Sequence, residues 1–275
     1  MPGRVLTVSE SDSSGGSGIQ ADIKTVLALG GYAMTAIAAL TAQNTRGVVG
    51  FQTADPEFVS QQMRVVLEDM GTDAIKTGIL GNEAIINAVA DVLDDVLDKN
   101  YPVVVDPAIV ARNGEPLMDP HAIATLKRRL LVRATVITPN RKEAEILTGM
   151  TIRDLDDMRH AADMLRTVGA EAVVLKGGQI NSEMVVDLVA TGEGERIFES
   201  SMQDVCHTHG AGDTLAAALA VSLSQGLTIF EAMERSLCFL NKSIETAHDY
   251  GHGVGPVNHA FEIEALLRQR QQAAE

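Results

Sequence analysis

The chain has no tryptophan and few aromatics of any kind, 3% of its 275 residues. Its core must therefore be built from Ala, Val, Ile and Leu, within a composition that is 45% hydrophobic. There are only two cysteines, Cys206 and Cys238. They form neither a disulfide framework nor a metal-binding spacing, so a reducing compartment, the cytoplasm, is expected. Positive charge is in deficit: 22 Lys and Arg against 37 Asp and Glu give a net charge of −15. That argues against nucleic acid or an anionic membrane as partner, and any anionic ligand must be held by local cations and amides. No apolar run reaches ~18 residues, so no transmembrane helix is expected. No charged start followed by an apolar stretch suggests a signal peptide. The first Gly-rich stretch, G-G-S-G at 15–18, lacks the Lys-Ser/Thr ending of a P-loop and fails the Rossmann spacing.

What is present is alternation. Short continuous apolar runs read as buried strands at 4–9, 34–40, 74–77, 102–105, 134–137 and 172–175, with a further short strand at 48–52. Amphipathic stretches at 19–30, 55–69, 83–98, 120–131, 143–147 and 155–168 read as helices between them. Residues 184–190 and 196–201 read as an antiparallel pair, followed by helices at 210–224 and 229–248. This predicts an α/β domain over 1–275, with a mostly parallel sheet of roughly seven to nine strands between two layers of helices. A polar tail from about 268 to 275 should fray. The polar and glycine-rich residues fall where strands end, at 10–18, 41–45, 77–81, 106–115, 138–143 and 176–178. In open α/β sheets ligands bind beyond the carboxyl ends of the strands, so these six loops should face one site.

The stretch that organises the site is His209-Gly210-Ala211-Gly212-Asp213-Thr214-Leu215. It opens a helix, where unpaired amides and the positive end of the dipole suit an anion. Asp213 would accept the proton of a hydroxyl attacking that anion, an arrangement suited to phosphoryl transfer. Taken alone, Gly-x-Gly-Asp is also an ordinary capped turn. Asn140 and Glu143, one turn apart after a strand, are either a capping box or an amide and a carboxylate that hold Mg²⁺ through water. Lys176, before Gly-Gly, is either a surface lysine or a cation for ATP phosphates. Asp106 either ends its strand or orients metal-bound water. Asp22 and Gln43 are either solvated or polar handles for a heterocycle. His207 and His209, with no third ligand, are poor evidence for zinc.

Together, S-D-S-S-G-G-S-G-I-Q-A-D-I-K-T (11–25), L-T-A-Q-N-T (40–45), K-T-G-I-L-G (76–81), V-D-P-A-I-V-A-R-N-G-E-P-L (105–117), I-T-P-N-R-K-E-A (137–144), V-L-K-G-G (174–178) and T-H-G-A-G-D-T-L (208–215) resemble, in order, the motifs of the hydroxymethylpyrimidine/phosphomethylpyrimidine kinases of thiamine biosynthesis. The likeness runs from about residue 4 to residue 259. It implies a ribokinase-like fold, a homodimer, and two successive MgATP-dependent phosphorylations of 4-amino-5-hydroxymethyl-2-methylpyrimidine. It also implies roles. Gly210, Ala211 and Gly212 would form the anion hole and Asp213 the base. Asp22 and Gln43 would meet the aminopyrimidine, with Ile79 and Ala108 near its ring. Asn140, Glu143 and Lys176 would serve the phosphates and Mg²⁺, with Thr208 near ATP and Arg112 folding over the phosphates from a loop.

The chain departs from this pattern in places. Asp213 stands where the family usually has Cys, as in the wider ribokinase-like sugar and pyridoxal kinases. Glu10 replaces a Gly, Ser13 a Pro, and Cys206 and His207 the common Lys and Asn. A pyridoxal or pyridoxine kinase is therefore the nearest rival. A catalytically silent pyrimidine- or nucleotide-binding protein is a remoter one, opposed by the joint presence of Asp213, Asn140, Glu143 and Lys176.

Overall fold

The computed structural model describes residues 2–96, 101–111, 114–179, 184–201 and 207–273. Among the described residues, nine strands form one sheet in the order β3-β2-β1-β4-β5-β6-β7-β8-β9. The first half comprises β1 (Arg4–Asp12), α1 (Gly18–Ala28), β2 (Tyr32–Asn44), β3 (Gly47–Thr53), α2 (Pro56–Asp69), β4 (Ala74–Thr77), α3 (Glu83–Val96) and β5 (Val103–Val105). Then come α4 (Pro120–Thr125), β6 (Val136–Ile137), α5 (Arg141–Thr148), α6 (Leu155–Val168), β7 (Ala172–Gln179), β8 (Met184–Ala190), β9 (Glu195–Ser201), α7 (Ala211–Ser224), α8 (Ile229–Glu245) and α9 (Phe261–Gln272). Strands β2, β1, β4, β5, β6 and β7 are parallel, and the antiparallel pairings lie at the two edges.

Strand alternation sorts the core into two layers. Val5, Ala74, Val104, Val136, Ala172 and Val174 pack with α1, α7 and α8. Their sequence neighbours Leu6, Ile75, Val103, Val105, Ile137 and Val173 pack with α2 to α6. Helix α7 is apolar all round and buried from Thr214 to Ser222, as a helix enclosed on every side must be. Its alanines allow close approach to α1 and α8. The same alternation in β4, A-I-K-T, sends Lys76 to the side of Ala74, beneath α1 and α7, where it has no exposed surface.

Two expectations are corrected. Helix 120–131 is not uniform: after Thr125 it widens into a π-turn, Leu126–Leu130, and closes with a 3-10 turn, Leu131–Arg133. The tail at 268–275 does not begin to fray at 268, because α9 continues through Gln272. That helix has no buried residue, so its sequence carries no core-facing stripe, but Glu, Leu, Arg and Gln all favour helix intrinsically. Among the described residues no helix is long and apolar enough to cross a membrane.

Candidate active site

The glycine turn is locked to the first loop. Gly210 caps α7 with φ 82°, and a Cβ on it would lie 1.8 Å from the Gly16 carbonyl oxygen. No other residue could let the two loops approach so closely. Asp12, at the end of β1, organises the other side. It accepts hydrogen bonds from the amides of Ser14, Gly16 and Ser17 at 2.8, 3.0 and 2.9 Å and from both serine hydroxyls. His209 Nε2 lies 2.8 Å from its Oδ2, and Gln43 Nε2 is 3.3 Å from the same ring nitrogen. Burial pushes the Asp12 carboxyl up, but bonds from His209, Ser14 and Ser17 outweigh it and hold Asp12 well below the usual range. The role of His209 is thus to fasten Asp12, a pairing of residues 197 apart that leaves no local signal.

Beneath the turn lies a buried ion cluster. Lys76 Nζ donates to Asp213 Oδ1 at 2.8 Å and to Asp22 Oδ2 at 3.0 Å. Lys76 and Asp22 have no exposed side-chain surface, whereas Asp213 keeps 17%. From α1, Asp22 faces Lys76 and has no exposed side-chain surface. Burial alone would lower the lysine's proton affinity, but Asp213, Asp22 and Asp106 raise it, so Lys76 stays charged. One cation cannot fully serve two carboxylates. Burial pushes Asp22 up to about 7. For Asp213, burial is outweighed by Lys76 and by the Gly18 amide, and its carboxyl falls below the ordinary value. Lys76 opens the K-T-G-I-L-G stretch, and its place two residues from Ala74 in a buried strand is a usable signal of this burial.

The basic side of the site lies next to this cluster. A cleft of about 360 Å³ is lined by Asn140, Arg141, Lys142, Lys176, Gly177 and Gly178. Three cations there offset the acidic field of the whole chain. Lys176 Nζ is 3.7 Å from Asp106 Oδ1, and a Cβ on Gly212 would lie 3.7 Å from the same Nζ and 3.6 Å from Asp106 Oδ2. The glycine turn, Lys176 and Asp106 thus converge. Asn140 and Glu143 form a full capping box. Glu143 is buried, with one oxygen on the Asn140 amide and the other on the Ile109 amide, at 2.9 and 3.0 Å. Burial, then Asp106, raises its carboxyl.

Among the described residues no group of three or more His, Cys, Asp or Glu is arranged to hold a metal ion. This donor set does not suit direct coordination by the protein. It does suit a hydrated magnesium ion held through water and phosphate, with Asp106 the more available carboxylate.

Ile79 and Ala108 are half-buried beyond strand ends. Ala108 has φ 45°, the single positive value among the described non-glycine residues, the kind of local strain that clusters at functional sites. Gln43 accepts the Thr41 hydroxyl at 3.2 Å. Thr208 lies at the turn, where its carbonyl accepts the Ala211 amide. Arg112 and Cys206 lie outside the described residues.

Residues 12–258 match the family described as Phosphomethylpyrimidine kinase. The thiamine biosynthesis bifunctional protein ThiED of Geobacter sulfurreducens is 44% identical over 262 residues, 95% of this chain but 53% of that protein, so the chain spans about half the length of this relative. The hydroxymethylpyrimidine/phosphomethylpyrimidine kinase of Bacillus subtilis is 42% identical over 97% of this chain and 98% of its own. Among solved structures, an ADP complex of Bacillus subtilis pyridoxal kinase superposes with a TM-score of 0.85 at 35% identity, covering 94% of this chain and 98% of that one. The fold is ribokinase-like, and the chain belongs to the phosphomethylpyrimidine kinase family.

Proposed function

We propose that the chain is an ATP-dependent kinase of thiamine biosynthesis that phosphorylates 4-amino-5-hydroxymethyl-2-methylpyrimidine and then its monophosphate. The observation that carries the mechanism is the carboxylate of Asp213, held at 2.8 Å by a buried lysine beside a glycine turn. Asp213 takes the proton from the hydroxymethyl oxygen as that oxygen attacks the γ-phosphorus. The Gly210-Ala211-Gly212 turn at the start of α7 faces the charge that develops on the transferring group, through the Gly210 and Gly212 amides since the Ala211 amide is bound to the Thr208 carbonyl, and Lys176 adds a cation on the nucleotide side. Lys76 keeps Asp213 anionic and oriented. Gln43, Ile79 and Ala108 line the heterocycle side, and Asn140 and Thr208 serve the nucleotide. Magnesium, when bound near Asp106 and Glu143, would neutralise phosphate charge. The continuous sheet supports a single kinase domain over 1–275. A free thiol at Cys238 and the use of ATP favour the cytoplasm.

Lys176→Ala should lower turnover by roughly 10²-fold, the scale of losing one preorganised donor to a developing anion. Turnover equal to wild type at saturating MgATP would remove Lys176 from the mechanism. Two observations favour the rival pyridoxal kinase reading: the Gly-Ala-Gly-Asp turn and the close match to the pyridoxal kinase structure. Measuring ATP turnover with each heterocycle decides between them, and the pyrimidine should be the better substrate.

A homodimer is also part of this reading. The β2–β3 edge exposes Leu40, Val48, Val49 and Phe51, an apolar patch of the kind that marks an interface. Val49→Glu should shift the sedimentation coefficient from dimer to monomer. A wild-type chain that sediments as a monomer would refute the dimer.

A further inference from the structure

Glu10 has no part in the mechanism above, yet only 1% of it is exposed at the carboxyl end of β1. The β1–β2 register slips between Ser9 and Glu10, an irregularity of the kind that re-aims side chains beside sites. The Ser9 hydroxyl donates to Glu10 Oε2 at 2.5 Å, and Ser9 Oγ accepts the Ile79 amide at 3.1 Å. On its other side Glu10 rests on Gly18, where a Cβ would lie 2.8 Å from Oε1 and 2.3 Å from the Glu10 carbonyl oxygen. Gly18, at φ 57°, is the residue whose amide holds Asp213. A continuous chain of contacts therefore runs from Ile79 through Ser9, Glu10 and Gly18 to Asp213.

We propose that Glu10 is a positioning residue that couples the seating of the heterocycle at Ile79 to the placement of Asp213. This rests on Asp213 being the base and on Ile79 lining the heterocycle pocket. The charged groups facing Glu10 are Asp213 from α7 and Lys76 from β4, with Asp22 from α1 sharing that lysine. Lys76 is already bound to two carboxylates, so a third anion would have no counter-ion. Burial, then Asp213, drives the Glu10 carboxyl well above its ordinary value, and Glu10 serves in its neutral form. Glutamine reproduces that form in size and hydrogen bonding; alanine removes it.

The test uses the full chain with Glu10→Gln and Glu10→Ala, and Glu10→Asp should the alanine variant fail to fold. Steady-state kinetics are measured separately against the pyrimidine and against ATP, with thermal midpoints taken from pH 5 to pH 8.5. Glu10→Ala should raise KM for the pyrimidine and lower kcat, together on the order of 10²-fold, the scale of a small misplacement of reacting groups. KM for ATP should stay within about twofold, well inside that scale, and Glu10→Gln should recover most of the loss. The folded state binds the extra proton, so wild-type stability falls as pH rises from the ordinary glutamate value through the raised one. Glutamine does not titrate, so the midpoint of Glu10→Gln should gain on wild type as pH rises. Equal losses toward pyrimidine and ATP, or Gln no better than Ala, would overturn the proposal. Wild-type kinetics in both variants would overturn it as well. Asp213→Asn run alongside separates the two failures. If it remains active, the base assignment has failed; if it is inactive while the Glu10 variants are normal, only the coupling has failed.

Discussion

Asp213→Asn should reduce turnover by roughly 10²–10⁴, the range for removing a positioned general base, with a much smaller change in KM for ATP. The amide keeps the shape and can still meet the Gly18 amide, but it cannot take a proton. Asp213→Cys should restore part of the loss, because members of the family carry Cys there and a thiolate formed beside Lys76 is a workable base. The acid limb follows from the depressed carboxyl of Asp213. The group is ionised throughout the neutral range, so activity carried by it should persist to pH values below the ordinary Asp pKa of about 3.9. Its contribution to stability has the same sign. It is present above the unfolded pKa and lost as pH falls through the folded one. An asparagine variant with wild-type turnover on both heterocycles would reduce Asp213 to a helix-start residue.

Lys76→Met should have the largest effect on the fold itself. It leaves Asp22 and Asp213 buried without their cation, and breaking a buried ion pair by removing one partner costs about 3–5 kcal/mol. Turnover should fall as well, because Asp213 would then be protonated in the pH range where it must be ionised. Thermal unfolding and kinetics across pH measure the two effects. Adding Asp22→Asn to Lys76→Met should recover part of the stability but little of the activity, since it removes one stranded charge and leaves Asp213 unsupported. Unchanged stability in Lys76→Met would mean that water reaches the cluster, and that the pair carries no energetic weight.

The sheet was legible because buried strands announce themselves. A-I-K-T, V-V-V and A-V-V-L recur with helices between them, and the loops after them carry the polar residues. N-x-x-E was legible as a capping box, since that motif is local: Asn140 and Glu143 satisfy each other's amides within one turn. What local reading cannot reach is partnership across the chain. Asp22 has a lysine two residues on, but Lys24 donates to the Gly15 carbonyl instead; the cation of Asp22 is Lys76, 54 residues on. Asp12 and Glu10 looked like loop acids, yet burial makes one the fastening point of a loop and the other a neutral link. Helix α9 was obscured for the opposite reason, having helix-forming residues but no buried stripe to mark them.

The interlock of Gly16 with Gly210, fastened by Asp12 and His209, also constrains the order of assembly. The residues that clamp the first loop emerge almost two hundred positions after it. Closing so long a loop comes late and slowly during folding. A nascent chain can therefore complete most of its parallel sheet while both halves of the phosphate cradle remain apart. Catalytic competence is then acquired only once His209 and Gly210 have joined the first loop, so products cut short before them lack a partly working site that could consume ATP.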